Sequence, residues 1–435
     1  MSVVVQKNFT QQFLKELSAT SPKAGFTPFD KIATALQLLE EKGIPNNKWE
    51  EYKYCNIEAV LRKEFKSLHP ASENFDFSRL ENFISDKSAM NIFIVNGKAV
   101  KIAASKNRNL LIEKLEELSE EGNKIFENHF GKNTQDNPDT LIALNTAYCG
   151  NGILIRAEKN AVIEQPIHLI NVSTSEKDCV NHFRKMIVLG ENAQLQLHES
   201  YFSISEGGKT FNNEVSEIFI EENAIMHYNV LQSEDNSGYK VCNTYVQQES
   251  NSNFKINTFT FGGSLVRNNL SIRVNGSHAE THLNGLTLAN EQQLIDHHTL
   301  VDHAVPDCVS NELYKGIASG KSNLIFNGKI FVRRDAQKIN AYQSSKNILL
   351  SDDATINTKP QLEIFANDVK CSHGTSTGKV DEEALFYLKS RGIGETSARK
   401  LLLKAFAGEV VEKIENESFR LEVEKYLEHK IAIND

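Results

Sequence analysis

A thiol and an imidazole stand two residues apart in the run Lys370-Cys371-Ser372-His373-Gly374. These side chains suit iron or zinc. The alternation around them reads as strand, and residues two apart on a strand face the same way, so Cys371 and His373 can offer sulfur and nitrogen to one object. Imidazole also exchanges a proton near neutral pH, which adds acid–base chemistry to ligation. Ser372 and Gly374 are small and leave room for another chain to approach. The bland alternative is a small buried hydrophobe beside a histidine satisfied by backbone, the commoner outcome for an isolated Cys-x-His.

Other motifs fall short of chemistry. Ile295-Asp-His-His-Thr-Leu-Val-Asp-His303 gathers three of the thirteen histidines. On a strand, His297, Thr299 and His303 share one face, and Asp296, His298 and Asp302 the other. A phosphoesterase metal centre would need further acidic motifs and an α/β pattern, neither of which the chain carries, so packing is the expected role. Gly316-Ile-Ala-Ser-Gly320-Lys-Ser322 is one residue too short for a phosphate-binding loop, and Ser203 to Thr210 has Ser where the first Gly must turn. ATP hydrolysis is therefore not expected of this chain. Arg391-Gly392-Ile393-Gly394 with Ala398, Leu401 and Leu402 imitates a helix–hairpin–helix DNA grip, but residues 381–435 carry twelve acidic against nine basic side chains, which opposes phosphate. No hydrolase triad or Cys-His dyad can be argued from spacing.

Six cysteines, at 55, 149, 179, 242, 308 and 371, are scattered without a Cys-x-x-Cys pair. Neither a disulfide framework nor a complete zinc or permanent cluster site is expected, so a metal or cluster would be held by few ligands, in a shared or transient site. A net charge of −9 argues against a general nucleic-acid or anionic-membrane surface. No apolar window approaches a membrane span, and Met1-Ser-Val-Val-Val-Gln-Lys-Asn lacks the secretory pattern, so a cytosolic protein is expected.

The elements that must position Cys371 and His373 fall into three stretches. Residues 1–150 read as mainly helical: Gln11 to Leu17, Phe29 to Lys42 stopped by Gly43 and Pro45, a helix capped by Asn56 with an apolar face from Ile57 to Leu68, and a longer charged helix from Asn107 to His129. Ile92 to Gly97 is strand-like. From 151 to 380 short alternating runs replace helical periods, as in Ile153–Arg156, Lys185–Leu189 and Asn323–Phe326. A polar turn followed by a small residue recurs at Glu191-Asn-Ala193, Glu222-Asn-Ala224, Ser252-Asn-Phe254, Ser277-His-Ala279 and Asp353-Ala354. Loose repeats over so long an all-strand stretch favour a solenoid over a β-sandwich or jelly roll. Residues 381–435 return to helix: Asp381 caps Glu382–Arg391, Gly392 ends it, Thr396 to Ala407 follows, Gly408 breaks the chain, and Glu409 to Glu428 finishes it. Leu385, Leu388, Leu401, Leu402 and Phe406 look too numerous to be buried within so short an appendage, which reads as a docking module.

Pro360-Gln-Leu-Glu-Ile-Phe-Ala-Asn-Asp-Val-Lys-Cys-Ser-His-Gly374, followed by Leu385-Phe-Tyr-Leu-Lys-Ser-Arg-Gly392, resembles the SufB/SufD family of iron–sulfur cluster assembly proteins, and more its SufD branch. The His297-x-Thr299-x-Val301-x-His303 strand with Ser310-Asn-Glu-Leu-Tyr314 is similar too, as is the Gly43-Ile-Pro45 to Tyr54 region, although Tyr52 stands where Trp is usual. The resemblance implies a right-handed parallel β-helix between the helical regions, and a non-catalytic scaffold subunit with no tightly bound cofactor. It implies a SufB partner supplying most thiols, a nascent iron–sulfur cluster shared near His373 and Cys371, and a SufC ATPase gripped by the C-terminal helices, with pairing of two copies when the chain is alone. Within the family, six unclustered cysteines and a short N-terminus favour SufD over SufB. The rival readings from other classes are a DNA-associated adaptor using the C-terminal hairpin and a carbohydrate-active β-helix enzyme.

Overall fold

The structure is a computed structural model, and it describes residues 2–20, 25–70, 77–102, 107–134 and 139–433. The chain opens with α1 (Ser2–Thr20), α2 (Phe29–Lys42) and α3 (Ile57–Glu64). Then come β1 (Met90–Val95), β2 (Lys98–Lys101), β3 (Leu110–Lys114), α4 (Glu120–His129) and α5 (Thr140–Tyr148). An unbroken series of strands follows: β4 (Gly152–Ala157), β5 (Val162–Ser175), β6 (Cys179–Leu189), β7 (Gln194–Ser205), β8 (Thr210–Ile220), β9 (Ile225–Gln232), β10 (Gly238–Gln248) and β11 (Asn253–Thr260). It continues with β12 (Leu265–Val274), β13 (Glu280–Ala289), β14 (Leu294–His303), β15 (Val309–Ala318), β16 (Asn323–Val332), β17 (Ile339–Leu349), β18 (Thr355–Ile364) and β19 (Val369–Gly378). Three helices close the chain: α6 (Glu382–Ser390), α7 (Glu395–Val411) and α8 (Glu417–Ile433).

Strands β4 to β19 wind into a β-solenoid of about eight turns. Odd-numbered strands from β5 to β19 stack in one parallel sheet and even-numbered strands from β4 to β18 in the other. The rise from one turn to the next takes from 26 residues, Tyr239 to Leu265, to 32, Asn323 to Thr355. Between the sheets runs an apolar core that includes Ile155, Leu169, Ile187, Leu197, Ile272 and Ile330.

One corner explains the repeat. Asn160, Asn192, Asn223, Asn251, His278, Asp307 and Lys338 all adopt left-handed φ between 57° and 62°. Asparagine tolerates this conformation better than most side chains. The next residue in each case, Ala161, Ala193, Ala224, Ser252, Ala279, Cys308 or Ile339, turns inward and is at most 1% exposed. The asparagines also ladder: Asn192 Nδ2 donates to Asn160 Oδ1 at 2.7 Å, and Asn223 Nδ2 to Asn192 Oδ1 at 2.9 Å. Two of the expected repeat units need correction. The corner is Asn251-Ser252, with its asparagine two positions before the expected asparagine of Ser252-Asn-Phe254, and Asp353-Ala354 precedes β18, so it belongs to the opposite sheet.

Both sheets are roofed outside as well as filled inside. Helices α1, α2, α3 and α5 pack through Phe13, Leu39, Leu61 and Leu144 onto Phe211, Val241 and Leu265 of the even sheet. Helices α7 and α8 pack through Leu403, Val410, Phe419 and Val423 onto Val172, Leu231, Phe259 and Leu286 of the odd sheet. Strands buried on both faces lose the in–out alternation, which is why β6 and β8 are buried along their whole length.

Three helix expectations are corrected. The charged helix from Asn107 is split: Leu110–Lys114 is a strand paired antiparallel with β4, and helix starts only after Ser119, whose hydroxyl caps Gly122 N–H at 3.1 Å. Residues Leu110 to Ile112 satisfy the apolar spacing of either element, and pairing with the sheet decides. The helix after Asn56 stops at Glu64, although Phe65 and Leu68 beyond it are buried as expected. Gly408 does not break its helix. The break follows Val411, and Asn416 restarts the chain by accepting from Phe419 N–H at 2.9 Å. Helix α5, in which Ile142, Leu144 and Ala147 are buried, was not foreseen. A helix covered all round lacks the polar stripe that marks an amphipathic one.

Replacing Asn192 by Ala should lower stability by about 1–2 kcal/mol, because alanine pays the left-handed penalty and breaks the ladder. Glycine at 192 should cost less than alanine. Urea denaturation of the two variants checks this, and equal midpoints for Asn192→Ala and wild type would refute the corner argument.

Candidate functional site

The two ends of the solenoid differ. At the start, the sheets terminate in β2 and β3, only four and five residues long and both antiparallel to their neighbours. At the far end, β18 and β19 are ten residues each, paired on one side only, and half-buried or exposed throughout. Long bare edges are unusual, because unpaired N–H and C=O groups recruit another chain.

Cys371 and His373 lie on β19, in register with Ala341 and Gln343 of β17. Ala341 and Gln343 are buried within the solenoid, so the cysteine and the histidine share the lumen-facing side at the mouth. Cys371 packs partly against the internal core, and burial raises its thiol pKa. His373 is exposed. Thr375 on the same face donates to Thr358 Oγ1 at 3.0 Å across the lumen, tying β19 to β18 at the rim. A side chain added at Gly374 would meet nothing within 4 Å, so the edge is open there. Beside this mouth stand Tyr342, Ile364 and Phe365, which are exposed apolar residues that sequence reasoning missed. Their partners are decided by a neighbouring turn and by the loop after β18, and no local pattern marks them.

The remaining cysteines are placed for packing. Burial pushes Cys55 and Cys149 up to about 12 and Cys179 to about 11, and Cys308 fills a small-residue corner. A thiol so far from ionisation is a poor ligand and nucleophile.

The Asp296-His297-His298 run divides as alternation requires, and neither face forms a metal centre. Asp296 accepts from Arg267 Nη1 at 2.5 Å and pairs with His298 Nε2 at 3.0 Å. Burial opposes the His298 charge most strongly, but the charge of Asp296 and hydrogen bonds to Asp296 and Glu51 together hold the imidazole above its ordinary pKa. Arg267 also stacks on the Tyr52 ring, 4.0 Å from its centroid, and Tyr52 donates to Asp139 at 2.5 Å. This cluster fastens the N-terminal roof to the even sheet. His297 and His303 face inward, against Tyr314 and Ser310. Among the described residues no group of three or more His, Cys, Asp or Glu is arranged to hold a metal ion.

Both near-miss phosphate loops sit at strand-to-strand turns, so neither leads into the helix a phosphate needs. In the C-terminal hairpin, Glu395 pairs with Lys389 at 2.7 Å and with Arg399 at 3.1 Å, so an acidic side chain occupies the cations a DNA backbone would require.

The C-terminal leucines are not equivalent. Leu385 is buried, Leu388 and Leu402 are half-buried, and Phe406 lies over the odd sheet with Lys315 Nζ 4.3 Å from its ring centroid. Leu401 is exposed. Phe386 and Tyr387, beside Leu385, are 72% and 56% exposed, and neither was singled out from the sequence. The exposed large apolar side chains of this region are Phe386, Tyr387 and Leu401 on α6 and α7 and Leu421 on α8, whereas Leu402 and Phe406 pack against the roof over the odd sheet.

Residues 171–406 match the family model described as SUF system FeS cluster assembly, SufBD core domain, and residues 27–169 match the SufBD protein N-terminal region. The chain belongs to the SufBD family. An iron–sulfur cluster assembly SufBD family protein of Synechocystis is 28% identical over 93% of this chain and 91% of its own length. The iron–sulfur cluster assembly protein SufD of Escherichia coli is 27% identical over 89% of each chain, and the chloroplastic protein ABCI7 of Arabidopsis thaliana is 26% identical over 97% of this chain and 91% of its own. The protein is thus a SufBD-family iron–sulfur cluster assembly protein related to SufD. The β-solenoid and the flanking helices implied by the SufBD resemblance are both present. Among the described residues no helix is long and apolar enough to cross a membrane.

Truncation should separate surface from roof. Leu385→Ala should cost about 2–5 kcal/mol as a buried large-to-small change. Phe386→Ala should stay within about 0.5 kcal/mol. Denaturant midpoints measure both, and equal losses would mean that Phe386 is packed rather than presented.

Proposed function

We propose that this chain is the SufD-type, non-catalytic subunit of a SUF scaffold, joined through its last solenoid turn to a SufB chain and through its C-terminal helices to a SufC ATPase. The observation that carries the proposal is the pair of bare ten-residue edges, with Cys371 and His373 on the lumen side of one of them. A partner solenoid ending in the same way would satisfy those edges by continuing both sheets. It would bring its own thiols against His373, so that a nascent iron–sulfur cluster, the cargo of the assembly, is held between two chains with few ligands from each. In isolation, two copies of this chain would meet by the same edges, which sedimentation at increasing concentration would reveal. Six free cysteines suit a reducing compartment such as the cytoplasm.

The core at 151–380 is the docking body. Residues 1–150 and 381–435 roof its two sheets, and α6 with the start of α7 presents Phe386, Tyr387 and Leu401 to the ATPase. Deleting 381–435 would uncover Val172, Leu231, Phe259 and Leu286, so point variants make the cleaner experiment.

His373→Ala should leave assembly with SufB and SufC intact while lowering the iron and acid-labile sulfide of the purified complex several-fold. Cys371→Ser should have a smaller effect, because the partner supplies most of the sulfur ligands. Normal iron and sulfide content with Ala at 373 would reduce this histidine to a surface residue.

Phe386→Asp combined with Leu401→Asp should weaken capture of SufC about tenfold or more with little change in melting temperature. Unchanged capture would move the ATPase to another face.

A further inference from the structure

Beneath His373, two buried polar side chains continue its column down the lumen. Parallel register places Glu312 of β15 under Gln343 of β17, and Gln343 under His373 of β19. Gln343 is 3% exposed and Glu312 5%. Gln343 Nε2 donates to Glu312 Oε2 at 2.6 Å. Gly328 on the facing strand β16 makes room for that amide, since a Cβ there would collide with Gln343 Nε2. Thr299 of the opposite sheet lies beside the carboxyl. The amide oxygen, Gln343 Oε1, is buried and forms no hydrogen bond in this structure, to His373 or to any other group.

The orientation of the amide follows from its neighbour. An ionised carboxylate only accepts hydrogen bonds, so Glu312 must face the NH2 of Gln343, and the carbonyl is left as the free end. A carbonyl one rung below an imidazole can accept only from a ring N–H. An imidazole that donates inward through one nitrogen has the lone pair of the other directed away, toward whatever binds at the mouth.

We infer that Glu312 and Gln343 are positioning residues for His373: the Glu312 carboxylate orients the Gln343 amide, and the amide carbonyl left unpartnered one rung below is the acceptor that selects the His373 tautomer whose outer nitrogen is free to ligate. The inference rests on the reading of His373 as a cluster-site residue and adds to it the device that readies the ring. Removing either lower residue should leave the ring in place and release its tautomer.

The test reads the tautomer directly, by long-range 1H–15N NMR on the full-length chain labelled with 15N-histidine and assigned with a His373→Gln variant. Burial lifts the Glu312 pKa to about 7, so the spectra are taken at pH 8.5, where the carboxylate is ionised. In wild type one tautomer of His373 should exceed its proportion in an exposed histidine peptide by about three- to tenfold, the bias that one net hydrogen bond confers. Gln343→Leu should return the ratio to that of the peptide. Glu312→Gln, which keeps the shape but lets the amide face either way, should do so in part, and it serves alone if the leucine variant does not fold. A peptide-like ratio in wild type, or a bias that survives both substitutions, overturns the inference. These outcomes do not depend on cluster content. Loss of the tautomer lock with normal behaviour of His373→Ala would leave the relay standing and remove the cluster-site reading.

Discussion

Each strand of this protein depends on the next turn for its backbone hydrogen bonds. A parallel solenoid carries its N–H and C=O groups along the stacking direction, so interior turns satisfy one another and only the two ends face a deficit. The first end is blunted by β2 and β3, which are short and antiparallel. The last end is left at full width. That asymmetry leaves one end of the molecule with unpaired strand edges, and it is where the cysteine and histidine of β19 emerge.

The same stacking determines what the interior tolerates. Residues in register form columns through successive turns, so a polar side chain entering the lumen needs a partner above, below or across. Lys185 is held by Glu199 at 2.6 Å and Glu214 at 3.0 Å, and Lys240 by Glu234 at 2.9 Å, all of them buried. Such pairs add little net stability over apolar packing, yet removing one member strands a charge. Glu312 and Gln343 belong to the same logic, one turn below an open end.

The roofs follow from the width of the sheets. An outer face of stacked Val, Leu and Phe would be a large apolar patch, and the helices cover it over most of the length. Cover thins toward the last turns, where burial changes from continuous in β6 and β8 to alternating in β16 and to open in β18 and β19. The helices at the two ends of the chain are thus part of the body, and Phe386, Tyr387, Leu401 and Leu421 stand exposed on the outer side of the C-terminal ones.

By itself the sequence determined features that depend on neighbours along the chain. The period of two put Cys371 and His373 on one face, Asp381 and Asn56 capped their helices, and asparagine marked left-handed corners because few other side chains tolerate that conformation. Loss of helical periodicity after Gly150 announced the strands. Tertiary structure decided the rest. Leu110 to Ile112 could be helix or strand until β4 lay beside them. Leu385 and Phe386 differ in exposure although both are large apolar neighbours, because only one faces the protein interior. Glu312, Gln343 and His373 lie 31 and 30 residues apart in the chain and one rung apart in space, because turn length sets the register between strands. Local pattern says which way a side chain can point, but what it meets there is decided by the stacking of turns whose lengths vary.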